Sequence, residues 1–180
     1  MKIFILLTLF LLLPLSSESQ IKKSTQTGYI SFEASVPAFE EVRANTKSVK
    51  SSINTKTGEL ICEVPIKEFQ FRLPLMREHF NINYLESNRY PKATFKGKIK
   101  DFNWFAIGVV PKEFIVIGKL EIHGVTKNIA VLLKINKVKT AIEIHSTFKI
   151  KTYDYKIAIP RIIKSKISEI VTINLELLLK

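Results

Sequence analysis

From Gly28 to Leu179, apolar side chains return at every second position, and each run of them ends at residues that favour turns. A period of two is that of a β-strand, whose successive side chains point to opposite faces, and it cannot be laid on the 3.6-residue period of a helix. Ile30, Phe32 and Ala34 alternate with Ser31 and Glu33, and Leu60, Cys62, Val64 and Ile66 alternate with Glu63 and Pro65 after a turn from Asn54 to Gly58. Ala93, Phe95, Gly97 and Ile99 face one way while Thr94, Lys96, Lys98 and Lys100 face the other, the pattern of a strand with one wet side. Phe114, Val116, Gly118, Leu120 and Ile122 lead to His123-Gly124, from which Ile129, Val131, Leu133 and Ile135 run back. Ile142, Ile144, Ser146, Phe148 and Ile150 form another strand, and Val171, Ile173, Leu175, Leu177 and Leu179 the last. A less regular strand near Val42 to Ile53 brings the total to about eight. Only Leu73 to Phe80 reads as helical, with Leu75, Met76, His79 and Phe80 at three-to-four spacing.

An all-β chain of this kind, with short connections and no alternation of strands with helices, folds as an antiparallel barrel or sandwich. Closure into a barrel removes the exposed strand edges on which sheets associate. The interior of an eight-stranded barrel is just wide enough to be filled by side chains or to hold one slender ligand. No long internal repeat and no Gly/Ser-rich or Pro-rich linker divides the chain, so residues 20–180 are expected to form one domain. Residues 20–27, all polar but Ile21, read as a lead-in outside the fold.

The N-terminus follows a different rule. Met1-Lys2 precedes an apolar run from Ile3 to Leu15, broken by Thr8 and Pro14, and then the small polar stretch Ser16-Ser17-Glu18-Ser19-Gln20. This is the pattern of a secretory signal peptide, residues 1–19, cut after Ser19. The run is shorter than the roughly 20 residues a membrane helix needs, and no Cys lies near the cut to carry a lipid anchor. The expected destination is the periplasm or the exterior. Cys62, on the apolar face of its strand, is read as a small buried hydrophobe and inert.

Composition narrows the chemistry. One Cys and three His leave no material for an intramolecular disulfide, a zinc ribbon or an iron–sulfur site. His79, His123 and His145 are far apart in the chain and form no His-Glu-x-x-His motif; there is no Gly-x-Ser-x-Gly elbow and no glycine-rich phosphate loop. Each His is read as a structural hydrogen-bonder, and so is Asp154 between its two tyrosines. No catalytic residue, metal or cofactor is expected. The net charge of +12 is carried mainly by Lys, with Arg at positions 43, 72, 77, 89 and 161 alone, whereas phosphate and base recognition favour the bidentate Arg fork. Nucleic acid is therefore set aside. Two readings of the charge stand level: attraction to anionic membrane surfaces, and lysines that keep strand faces apart.

The segment from Leu75 to Gly97, LMREHFNINYLESNRYPKATFKG, resembles the signature of the YceI-like family of exported bacterial lipid-binding proteins. In the same order, Gly28 to Phe32 resembles the family's opening strand and Gly118 to Lys127 its central hairpin. Lys149 to Tyr155, with the strand from Ile167 to Leu178, resembles its C-terminal part. The chain carries Lys156 where many relatives have Gly, and its connections between strands are shorter than in longer members. The resemblance implies an extended, lipocalin-like eight-stranded antiparallel β-barrel with one short helix and an apolar cavity for an isoprenoid or acyl chain.

The expected function is non-enzymatic binding, transport or sequestration of a long apolar molecule such as an isoprenoid, a fatty acid or a fatty amide. The expected lining is Phe69, Phe71, Met76, Phe80, Tyr84, Phe95, Phe114, Val116, Leu120, Ile122, Val131, Ile144 and Phe148, since aromatic and aliphatic side chains grip a flexible chain without directional bonds. Of these, the set from Phe69 to Tyr84 would cap one mouth. The competing expectation is a barrel with a filled core that acts through its basic surface on anionic envelope components. The oligomeric state is left open, with a homodimer among the options.

Overall fold

A computed structural model describes residues 22–180; the expected signal peptide, residues 1–19, lies outside the described residues. The strands are β1 (Lys22–Ser35), β2 (Arg43–Asn54), β3 (Glu59–Pro65), the two-residue β4 (Gln70–Phe71), β5 (Lys92–Ile99), β6 (Lys112–Ile122), β7 (Val125–Val138), β8 (Ala141–Lys151) and β9 (Ile167–Leu179). The hydrogen-bonded order runs β1-β9-β8-β7-β6-β5-β3-β2, and β2 pairs again with β1. Eight antiparallel strands thus close into a barrel, one of the two architectures the alternation allows and the one the family resemblance implies, and β4 is a short flap on β2 through Ala44 and Asn45.

Two boundaries differ from the sequence reading. Residues 22–27 belong to β1 instead of preceding the fold: Lys22 to Thr25 pair with Ser51 to Asn54, and Ser24 exchanges two backbone hydrogen bonds with Lys180, both 3.0 Å. A polar segment stays in the sheet here because β2 on one side and the end of β9 on the other satisfy its backbone groups. The register slips on both sides of Gly28, where a Cβ would come within 2.5 Å of the Leu177 side chain. The expected helix is a six-residue α1 (Pro74–His79), opened by Pro74 at its first position. It then widens into a single turn over Phe80–Tyr84 in which the Leu85 N–H donates to the Phe80 carbonyl at 2.9 Å.

The interior is divided along the barrel axis. At the end where β1 begins and β9 finishes, Val49, Ile53, Leu60, Ile99, Ile135, Ile142, Ile144, Leu177 and Leu179 are no more than 1–2% exposed. Ladder partners stack these groups: Ile144 lies opposite Ile135 on one side and Leu177 on the other, and Ile142 opposite Leu179. The connection from β5 to β6 caps this end with Phe102 and Trp104, packed against the core. Asn103 fixes the turn by accepting from the Phe105 N–H at 2.9 Å, and the Lys137 ammonium lies 4.7 Å above the Trp104 ring. Toward the opposite end the inward side chains no longer meet across the axis.

Candidate functional site

The space left there is a cavity of about 360 Å³, partly open to solvent, within the roughly 300–1,000 Å³ range of small-molecule sites and near its lower end. Its floor comes from the inward positions of β3, β6 and β7, including Leu60, Val116 and Leu133, where the packed half begins. Its walls are the far ends of β1, β5, β8 and β9. Two irregular segments frame the opening: α1 with its wide turn, and the stretch between β8 and β9 that contributes Ile157, Ile159 and Ile163.

The first segment is held by aromatic packing. Phe32 on β1 stacks on Phe80 at 5.4 Å between ring centroids and meets Phe69 and Phe71 edge-on at 5.3 and 5.9 Å; Phe80 in turn lies 5.6 Å from Phe69 and 5.0 Å from Phe71. Met76, Phe80 and Tyr84 recur at four-residue spacing, which turns one face of the segment toward the cavity. The Arg77 guanidinium donates to the Lys67 carbonyl at 3.2 Å, and the Asn81 amide to the Arg77 carbonyl at 2.8 Å.

Three of the polar groups on the wall are engaged with the protein itself. Ser146 donates to the Leu132 carbonyl at 2.8 Å and Ser168 to the Ile170 carbonyl at 2.7 Å. The Cys62 thiol also faces the cavity, 3.2 Å from Ser51 Oγ; burial pushes its pKa up to about 11, partly offset by that contact. Tyr84 is the phenol on the wall, its pKa raised by burial. Apart from these groups and His79, Thr94 and Thr152 the wall is apolar, so it offers mainly contact area and can select for apolar length and width.

Of the expected lining residues, Phe69, Phe71, Met76, Phe80, Tyr84, Phe95, Val116, Leu120, Ile122, Val131 and Phe148 are on this wall. Phe114 and Ile144 are not. Ile144 points inward but sits in the filled half with no exposure, and Phe114 packs against the core opposite Leu133, at the level of the cavity floor. Alternation assigns a residue to the inside without saying how far along the axis it lies, so it points to both. The wall also holds residues absent from the expected set. Ile30, Phe32, Ile173 and Leu175 carried the right alternation, whereas Ile157, Ile159 and Ile163 belong to an aperiodic loop that gives no such signal.

The histidines occupy three separate places. His79 is on the cavity wall. His145 Nε2 lies 3.3 Å from Glu143 Oε1, and Glu143, which also accepts from the Asn136 amide at 3.1 Å, is held below the usual carboxylate range by these contacts, the amide first. His123 and Gly124 form the two-residue turn between β6 and β7 with φ of 51° and 70°. The His123 ring places Nδ1 3.2 Å from the Tyr155 carbonyl and Nε2 3.1 Å from Glu86 Oε1, with the Tyr90 ring edge-on at 4.7 Å. This one side chain ties the hairpin tip to the end of the α1 segment and to the turn after β8. Among the described residues no group of three His, Cys, Asp or Glu is arranged to hold a metal ion, and no helix is long and apolar enough to cross a membrane.

Comparison with known proteins gives one family and one fold. The model of the YceI-like domain matches residues 18–179. A polyisoprenoid binding domain from Saccharophagus degradans, implicated in plant cell wall breakdown, superposes with a TM-score of 0.75 at 17% identity, over 89% of this chain and 98% of that one. BcnA from Burkholderia cenocepacia gives 0.67 at 15% identity, over 84% and 96%. The YceI protein of Campylobacter jejuni gives 0.63 at 20% identity, over 79% and 86%. A search of curated proteins finds no match.

Proposed function

We propose, from the premise that this chain belongs to the YceI-like family, that it is a non-enzymatic binding protein that shelters one long apolar molecule and carries it through the cell envelope. The observation that carries this reading is the half-hollow interior: a 360 Å³ space at one end of a barrel that is packed solid at the other. Each methylene taken from water into such a wall contributes about 0.8 kcal/mol, so a chain of a dozen or so carbons outweighs the cost of ordering it. The engaged Ser146 and Ser168 and the aromatic cluster around Phe32 support a guest held by its length, with any polar head directed to the opening. An isoprenoid is the first choice, in keeping with the fold shared with the polyisoprenoid binding domain of S. degradans; a fatty acid or fatty amide are the others. The leader read from Met1 to Ser19 supports a periplasmic or secreted location. The competing expectation of a core filled along its whole length describes only the end that contains Ile144.

Organic extraction of protein purified from its native host, followed by mass spectrometry, is expected to release a stoichiometric lipid. An empty extract, together with no saturable uptake of an added isoprenoid or fatty amide, would overturn the proposal.

A further inference from the structure

We infer that the barrel docks mouth-first on a bilayer containing anionic lipid, through the segment from Lys156 to Lys166 and the outer side of α1 and its wide turn. The first observation is where the exposed apolar side chains lie. Ile162 is 86% exposed, although its neighbours Ile159 and Ile163 line the cavity. Leu75 and Ile82, 61% and 59% exposed, stand on the segment whose Met76, Phe80 and Tyr84 line it from the other side. Both frames of the opening thus present aliphatic groups outward as well as inward.

The second observation is charge. Residues 156–166 carry Lys156, Arg161, Lys164 and Lys166 and no carboxylate. Lys164 reaches Glu169 at 3.0 Å, and the other three have no ion-pair partner among the described residues. Aliphatic side chains that enter the headgroup region beside basic residues are the composition of a segment that lies in a membrane interface. The orientation also solves a transfer problem. A guest that costs about 0.8 kcal/mol per methylene to expose to water enters far more readily from a bilayer that covers the opening. The inference rests on the proposed function for its purpose, but the surface can be tested by itself.

The rival surface is at the closed end, where Phe105, Val109 and Val110 are exposed. Cosedimentation of the purified protein with vesicles of phosphatidylcholine, alone or mixed with phosphatidylglycerol, separates the two. Binding is expected to the mixed vesicles, to weaken with salt, and to fall about fivefold for each of Arg161→Gln and Lys166→Gln. Ile162→Asp should lower it further and Phe105→Ser leave it unchanged. All four positions are exposed, so unchanged thermal unfolding verifies the fold of each variant. Loss of binding in Phe105→Ser with retention in the other variants would overturn the inference, as would no binding to either vesicle. Lipid extraction of the same preparations keeps the two ideas apart: an empty cavity with intact vesicle binding sinks the carrier reading alone, and a loaded cavity without vesicle binding sinks the docking surface alone.

Discussion

Cys62 shows how one inward position can be both structural and part of the cavity wall. Its alternation with Glu63 marks it as buried, and the structure places its sulfur in the wall beside Ser51. A thiol whose pKa is pushed up to about 11 is almost wholly protonated near neutrality, and the thiolate is the reactive form. A charged thiol reagent at pH 8 is therefore expected to leave the folded protein unmodified and to label it once unfolded; rapid labelling of the native state would contradict this burial. The linkage has a definite sign. The folded state holds the proton more tightly than the unfolded state, whose thiol titrates near the ordinary value of 9.0. Stability from this group is complete below pH 9 and is lost progressively as pH rises from about 9 to 11.

Elements were legible in the sequence to the extent that they were periodic. The half-wet strand with Lys96, Lys98 and Lys100 outside and the return hairpin at His123-Gly124 are where the alternation places them. What alternation could not carry is order along the axis, which separated Ile144 from Val131, and the role of aperiodic connections. The loop between β8 and β9 supplies three Ile to the cavity, and His123 finds its partners 32 and 37 residues away in the chain. Polar residues 22–27 were unreadable for the converse reason: their strand is held by backbone partners and not by an apolar face. The turn Thr152–Tyr155 joins these points, since it carries the carbonyl that faces His123 and ends at Lys156 with φ of 56°. A left-handed backbone costs a side-chain-bearing residue about 1–2 kcal/mol, of which glycine's extra freedom when unfolded gives back roughly 0.5–1. Lys156→Gly is thus expected to raise the unfolding free energy by about 0.5–1 kcal/mol in a denaturant titration. A loss of stability would show that the lysine side chain contributes more than its backbone strain costs.

At the scale of the molecule, the barrel divides its work between two halves with opposite packing rules. In the filled half every inward group has neighbours on all sides, so truncation leaves a void that the surroundings close only in part. Ile144→Ala is expected to cost about 2–5 kcal/mol of stability while the extracted lipid stays the same. In the hollow half the side chains already border open space, and added bulk removes volume from the guest more than it strains the fold. Val131→Phe, on the cavity wall and opposite Val116 in the ladder, should reduce or shorten the extracted chain with a smaller change in stability. Paired measurement of unfolding free energy and lipid content in these two variants tests the division directly. If Ile144→Ala loses its lipid at unchanged stability, or Val131→Phe unfolds while its folded fraction still carries a full-length chain, then stability and ligand capacity do not reside in separate ends of the barrel.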